Sequence, residues 1–179
     1  MIKQEWNYPG LAACEALWKE HHTPRRVIGH CKAVSKTASA IGEKLNEKGY
    51  NLNIPLIQSA GWLHDIARVE EEHWKKGAEI VKNLGYPDVA DIIEAHMFYR
   101  IDGSKEEIAE LDLVCLADRM VKEDHFVGLD ERMDYIIQKA KGFPGAEEQI
   151  RKSFCSIRAL KSRIEGIIGM TIEALMGSE

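Results

Sequence analysis

The chain has 179 residues, of which 45% are hydrophobic and 30% charged, and its formal net charge is −5. These proportions are typical of a soluble globular protein, and the acidic balance argues against a sequence-independent nucleic-acid binder. No run approaches the roughly 18 apolar residues of a membrane span and no charged-then-apolar leader opens the chain, so we expect a cytoplasmic protein without a membrane anchor.

Apolar residues repeat at helical spacing through nearly the whole chain, whereas the alternation typical of strands is nearly absent. Caps, prolines and glycines punctuate this pattern. The helices predicted from it are residues 6–20, residues 24–49, one from residue 53 through His64-Asp65, residues 73–85, one from residue 87 through His96, one from a capping box at Ser104–Glu107 to Asp118, a short one after Gly128, and a last long one from Gly145 to about Met176. We therefore predict an all-α fold, a single-domain helical bundle over residues 1–179.

The four cysteines do not form a metal-binding or disulfide pattern, since no two have CxxC spacing. We interpret them as small apolar core residues in a reducing compartment. They are Cys14, Cys31, Cys115 and Cys155.

Histidines and aspartates recur within the apolar helices, and they are candidate metal ligands. Each alone is compatible with a hydrogen-bonded core histidine or a capping aspartate. Together they would be costly to bury without a cation, because desolvated carboxylates need compensation. Imidazole and carboxylate suit iron, manganese, nickel, zinc or magnesium, and the lack of cysteine among them argues against a structural zinc site. The candidates are His30, His64, Asp65, His73, His96 and Asp118.

Metal-assisted hydrolysis is the chemistry that such a set of ligands predicts. Two ions bridged by Asp65 and a water would lower the pKa of that water and polarise a phosphoryl oxygen. The expected cofactor is therefore a pair of divalent ions, with iron or manganese favoured and magnesium, nickel or zinc compatible.

The order of these residues resembles the HD-domain superfamily of metal-dependent phosphohydrolases, whose pattern is a His, a His-Asp dyad and a distant Asp. The resemblance covers about residues 24–130, with the helices of residues 130–176 packed on that core. It implies one metal held by His30, His64, Asp65 and Asp118. His73 and His96 look like the further ligands of the binuclear branch, in which Asp65, His73 and His96 hold a second metal.

Within that branch, the chain is similar to the bacterial symmetrical diadenosine tetraphosphate hydrolases. The similarity lies in the spacing from His73 to His96 and in the stretch from Ala117 to Gly128. Two departures leave the substrate open. Asp124 and His125 stand before Phe126 where that family tends to have an Arg, and Arg68 stands where its dyad is often followed by a Lys.

Cations recur three or four residues from the candidate ligands, which is one helical turn. Separately, each fits a solvated surface cation, but cations facing the metals would hold a phosphoryl group. Asp65 and Arg68 are the predicted catalytic residues. The predicted substrate-binding residues are Arg26, Arg68, Arg100 and Lys122.

The function predicted from the sequence is a phosphohydrolase acting on a nucleotide or another small phosphate ester. One alternative is a non-hydrolytic helical sensor that binds a nucleotide or a partner protein, with the last helix as a surface for a homodimer or partner. A second alternative is an oxygenase, because some superfamily members use two irons for oxidation.

Overall fold

The computed structural model describes residues 8–177, and nearly all regular structure in that range is α-helix. The predicted all-α fold is thus confirmed. Its helices are α1 (Leu11–Glu20), α2 (Arg25–Asn46), α3 (Ile54–Leu63), α4 (His73–Asn83), α5 (Pro87–Ala95), α6 (Glu110–Asp118), α7 (Leu129–Lys139), α8 (Ala146–Ile168) and α9 (Ile172–Gly177). Within the described range, no helix is both long enough and apolar enough to cross a membrane.

Helix α2 lies at the centre of the molecule and packs against α3, α6, α8 and α9. Its inner face is completely buried at Cys31, Val34 and Ala38 and continues to Leu45. Helices α4 and α5 pair with each other, as do α7 and α8. One hydrophobic core therefore connects the helices whose ends carry the candidate ligands.

The contact between α2 and α3 is unusually close because α3 has a glycine where it crosses α2. A Cβ atom added to Gly61 would lie 2.6 Å from the Cα of Ser35. The Ser35 hydroxyl donates to the Gln58 carbonyl at 3.0 Å across the same contact. The close packing fixes α3, and hence the residues that follow its end, relative to α2.

The His64-Asp65 dyad does not lie inside a helix as predicted. Helix α3 ends at Leu63, and His64 and Asp65 belong to a series of tight turns. The amide of Ile66 donates to Leu63 at 3.1 Å and that of Arg68 to Asp65 at 2.9 Å, so these bonds span three residues instead of four. Tighter turns of this kind are common at helix ends.

Other helix boundaries also differ from the prediction. The predicted start at Trp6 lies outside the described residues, and residues 8–10 are not helical. Ser104 lies in a turn and donates to Asp102 at 2.6 Å, while α6 begins at Glu110, where Asp112 accepts from the Ala109 amide at 2.8 Å. The last predicted helix is divided at Gly169, whose φ of 78° ends α8.

A short antiparallel hairpin was not predicted, because strands of two residues have no recognisable pattern. It pairs β1 (Val121–Lys122) with β2 (His125–Phe126). Glu123 in its turn has a φ of 55°, a region that residues other than glycine rarely adopt. The hairpin places the Glu123 carbonyl against α2, where it accepts a hydrogen bond from His30.

Three of the four cysteines are buried, as the core interpretation predicts. The prediction was wrong for Cys155, which is exposed. Its neighbours Phe154 and Ile157 form the buried side of α8, and position 155 faces outward.

Candidate metal centre

The six predicted ligands come from helix ends and turns that meet at one place. His30 lies in α2, His64 and Asp65 follow α3, His73 opens α4, His96 follows α5, and Asp118 ends α6. The side chains of His64, Asp65, His73 and His96 are all buried. Buried polar groups this close together need mutual or external compensation.

Hydrogen bonds to backbone carbonyls fix three of the imidazole rings. His64 Nδ1 lies 2.8 Å from the Gly61 carbonyl, His96 Nδ1 lies 2.6 Å from the Ile93 carbonyl, and His30 Nδ1 lies 3.0 Å from the Glu123 carbonyl. Since a carbonyl only accepts, each Nδ1 carries the proton. The Nε2 atoms are then left for the centre, which is how metal-binding histidines are usually oriented.

The two oxygens of Asp65 face different groups of imidazoles. Oδ2 lies 3.8 Å from His64 Nε2, whereas Oδ1 lies 3.3 Å from His73 Nε2 and 3.7 Å from His96 Nε2. The carboxylate is therefore shared by two trios of potential ligands. In each trio the ligand atoms lie within 4.8 Å of one another. The trios are His30, His64 and Asp65, and Asp65, His73 and His96.

Asp118 lies beside the first trio. Its Oδ1 is 2.9 Å from His30 Nε2 and 4.0 Å from His64 Nε2. His30 thus stands between two acceptors, the Glu123 carbonyl and the Asp118 carboxylate, and a doubly protonated ring satisfies both. A cation in place of the Nε2 proton would satisfy the same carboxylate.

The electrostatics of the centre favour ionised carboxylates. Burial alone would raise the pKa of Asp65, but the neighbouring His64, His73 and His96 and the Arg68 guanidinium outweigh it, and the pKa lies well below its usual range. Burial likewise opposes ionisation of Asp118, yet its hydrogen bond with His30 holds its pKa low.

The pKa values of His64 and His30 shift in opposite directions. Burial lowers the pKa of His64. Burial would also lower the pKa of His30, but the hydrogen bond and charge of Asp118 raise it above the ordinary value. A neutral His64 with its Nε2 lone pair directed inward is the protonation state that binds a metal ion.

Two buried atoms at the centre lack a hydrogen-bond partner among the described residues. They are His64 Nε2 and Asp65 Oδ1. Leaving such atoms unpaired costs about 1–3 kcal/mol each, and more for a charged group. Both are metal-ligand atoms, and the donor set of nitrogen and oxygen suits a divalent transition ion. The residues present therefore fit a metal.

Arg68 occupies the side of the centre next to the second trio. Its Nη1 donates to His73 Nε2 at 2.9 Å, and its Nε lies 3.6 Å from Asp65 Oδ2. About half of the Arg68 side chain is exposed, at 47%. The guanidinium is thus a positive charge at the border between the buried ligands and solvent.

A cavity of about 710 Å³ opens over the ligands, within the size range of small-molecule sites. Among the predicted substrate-binding residues, Arg26 and Arg68 line it, but Arg100 and Lys122 do not. The prediction was wrong for these two residues because α5 ends before Arg100 and α6 before Lys122, so neither residue continues its ligand's helix. Lys122 instead lies 3.4 Å from Glu131.

Three residues of this cavity that were not predicted from the sequence lie on α7. They are Arg132, Tyr135 and Lys139. Their spacing of three and four residues places them on one helix side, next to the buried side formed by Leu129, Met133 and Ile137. That spacing can be seen in the sequence, but α7 carries no candidate metal ligand, so the rule of one helical turn from a ligand did not select these residues.

We expect divalent metal to stabilise the folded chain, because it would bind the native centre and not the unfolded chain. With free manganese at about 100 times its Kd, the gain is about 2.7 kcal/mol, which raises Tm by about 5–10 °C for a chain of this size. Differential scanning calorimetry after treatment with a chelating resin, with and without added manganese or iron, measures this shift. An unchanged Tm with both metals would contradict the assignment of the centre.

Comparison with known proteins agrees with this geometry. A family model described as HD domain matches residues 27–122, more than half of the chain. The chain is 40% identical over 91 residues to an uncharacterized protein of Methanocaldococcus jannaschii; this alignment covers 49% of the chain and 53% of that protein. The chain thus spans about half the length of this relative. No solved structure matches it significantly.

Proposed function

The chain belongs to the HD domain family, and on that premise we propose that it is a metal-dependent phosphohydrolase that cleaves a nucleotide or another small phosphate ester. The observation that carries this proposal is the position of Asp65, whose two oxygens face separate trios of ligand atoms. A carboxylate in that position can join two cations while its own charge is compensated from both sides.

We assign His30, His64, Asp65 and Asp118 to one metal ion and Asp65, His73 and His96 to a second. Divalent ions there would supply Lewis acidity toward water and toward a phosphoryl oxygen. The remaining chemistry belongs to the side chains. The buried rings of His64 and His96 are held by backbone carbonyls, so the ligand geometry is set before substrate arrives.

Arg68 and Arg26 are the cations that would hold the phosphoryl group. Both line the cavity above the ligands, and Arg68 reaches the centre itself through His73 and Asp65. A guanidinium can donate two parallel hydrogen bonds to phosphate oxygens and stays charged throughout the pH range of catalysis. Arg68 would thus offset charge that develops on the phosphoryl oxygens.

The proposal is tested by metal analysis of protein purified without oxygen, followed by a hydrolysis screen. The panel contains nitrophenyl phosphate, bis-nitrophenyl phosphate, nucleoside mono-, di- and triphosphates and dinucleoside polyphosphates, each with manganese and with ferrous iron. The symmetrical dinucleoside tetraphosphate is included because of the resemblance to that hydrolase group. Bound metal with turnover of at least one ester is expected. Protein that binds metal and hydrolyses none of them would favour the sensor alternative.

We expect Arg68→Gln to lower kcat/KM for the best ester about 10²-fold, the cost typical of removing one charge-stabilising donor. Metal content is expected to stay unchanged, since Arg68 is not among the ligands. Arg25→Gln is the matched control, because Arg25 is an exposed cation on α2 that does not line the cavity. Equal rates for the two variants would exclude Arg68 from the reaction.

A further inference from the structure

The cavity extends beyond the metal ligands to one side of α7. Arg132, Tyr135 and Lys139 form this part of its wall, which we call the α7 wall. None of the six candidate ligands lies on α7, and the proposed hydrolysis at the ligands does not require these residues. Their presence in the same cavity therefore needs another explanation.

Three cations surround the ring of Tyr135. The Lys139 ammonium lies 4.5 Å from the ring centroid, the Lys122 ammonium 5.0 Å and the Arg132 guanidinium carbon 5.4 Å. Each gains from the electron-rich face of the ring, but like charges this close together repel one another. Glu131 offsets the charge of Lys122 at 3.4 Å, and an anion bound between Arg132 and Lys139 would reduce the remaining repulsion.

Within residues 8–177, the two cations of the α7 wall have no carboxylate partner. Neither Arg132 nor Lys139 forms an ion pair, and Arg132 Nε is buried without a hydrogen-bond partner. Of the acidic residues on α7, Asp130 pairs with Arg158 and Glu131 with Lys122, and Asp134 forms no ion pair with Arg132 or Lys139. The hydrogen-bonding capacity of the Arg132 guanidinium is thus not used within the described part of the chain.

Two carboxylates of the hairpin turn, Glu123 and Asp124, also line the cavity. Asp124 lies 2.6 Å from His125 Nδ1. Among residues 8–177, the cations that line the cavity are Arg26, Arg68 and the two cations of the α7 wall. Arg132 and Lys139 therefore form a group of cations on a different element from Arg26 and Arg68.

We propose that the α7 wall binds a second phosphate group of the substrate, so that the substrate carries at least two phosphates and the reacting one lies at the metal centre. The proposal rests on the proposed function for the position of the reacting phosphate. The α7 wall itself is a phosphate site whether or not hydrolysis occurs, and binding can be measured separately from turnover.

The test compares binding of orthophosphate with binding of diimidotriphosphate, a nitrogen-bridged tripolyphosphate that resists hydrolysis, by titration calorimetry on the full chain. We expect wild type to bind diimidotriphosphate more tightly and Arg132→Gln/Lys139→Gln to lose about 10²-fold in that affinity, or about tenfold for each charge-assisted contact. With manganese supplied to the metal centre, orthophosphate affinity should be unchanged, because a single phosphate would bind at the ions and not at the α7 wall. Arg151→Gln/Lys152→Gln removes the same charge from exposed positions of α8 and should behave as wild type.

If a hydrolysable ester is found, the same variants should raise KM for a nucleoside diphosphate or triphosphate about 10²-fold and leave KM for nitrophenyl phosphate unchanged. Equal affinity of wild type and the α7 double variant for diimidotriphosphate would overturn the proposal, and so would an equal loss in the α8 control. Absence of hydrolysis with the expected binding pattern would reject the proposed function and retain the phosphate site.

Discussion

Asp65→Asn is expected to abolish hydrolysis, lowering kcat by at least about 10³-fold, and to reduce the bound metal. The substitution keeps the shape of the side chain but removes the one charge that faces both trios of ligand atoms. An amide offers one weak oxygen ligand where the carboxylate offers two, so both proposed metal positions are affected. Mass spectrometry of the metals and steady-state kinetics measure the two effects.

Asp124→Asn is the matched control, because Asp124 lines the same cavity but belongs to neither trio. It should keep its metal and most of its activity. Asp65→Asn should lower the unfolding free energy of the metal-free chain, because the folded environment lowers the pKa of Asp65 and so favours its charged form. Circular dichroism verifies that the variant is folded before its metal content is measured. An Asp65→Asn protein with full metal content and wild-type kcat would exclude the bridging role.

Gly61→Ala is expected to cost about 2–3 kcal/mol of unfolding free energy, the upper part of the usual range for overpacking. A Cβ at position 61 would lie 2.6 Å from the Cα of Ser35 and 3.0 Å from its amide nitrogen. These are backbone atoms, so relief requires α2 and α3 to move apart. His30 lies on α2 and His64 directly follows α3, so metal affinity should fall as well.

Gly166→Ala provides the control for Gly61. Gly166 lies inside α8 with no atom within 4 Å of an added Cβ, so the same substitution should stabilise the chain by about 0.5–1 kcal/mol. Urea unfolding followed by circular dichroism gives both values, and Tm of metal-loaded samples reports the effect on the centre. A Gly61→Ala variant as stable as wild type would show that the close packing of α2 on α3 is not a constraint.

Most helices were predictable because their apolar residues repeat at 3.6-residue spacing. The buried face of α2, from Val27 to Leu45, follows from the sequence alone. Helix ends were less predictable because they depend on contacts outside the helix. Asp112 caps the start of α6, although the Ser104–Glu107 segment has the residues of a capping box.

The candidate metal ligands were also predictable only in part: their residue types follow from the sequence, but their orientation depends on tertiary packing. His30, His64, Asp65, His73 and His96 were identifiable by residue type and by their positions in apolar segments, and the structure brings them together in two trios. Their roles as metal ligands stay a prediction until metal is measured. The helix ends that direct these side chains inward, and the backbone carbonyls that orient the rings, depend on the packing of separate helices.

For the cations, spacing from a ligand predicts a position in the cavity only where one helix carries both residues. Arg26 and His30 share an uninterrupted helix, and Arg26 lines the cavity. Arg100 and Lys122 stand four residues after their ligands, but α5 ends at Ala95 and α6 at Asp118, so neither cation shares a helix face with its ligand. Arg132 and Lys139 reach the cavity from a helix without any candidate ligand.

The sequence by itself determined the all-α fold and the residue types available for a metal centre, because helical periodicity and side-chain chemistry are local properties. Only the tertiary structure decided that the two oxygens of Asp65 face different trios and that the α7 wall shares their cavity. Both facts depend on distances between residues far apart in the chain, and those distances are set by how the helices pack.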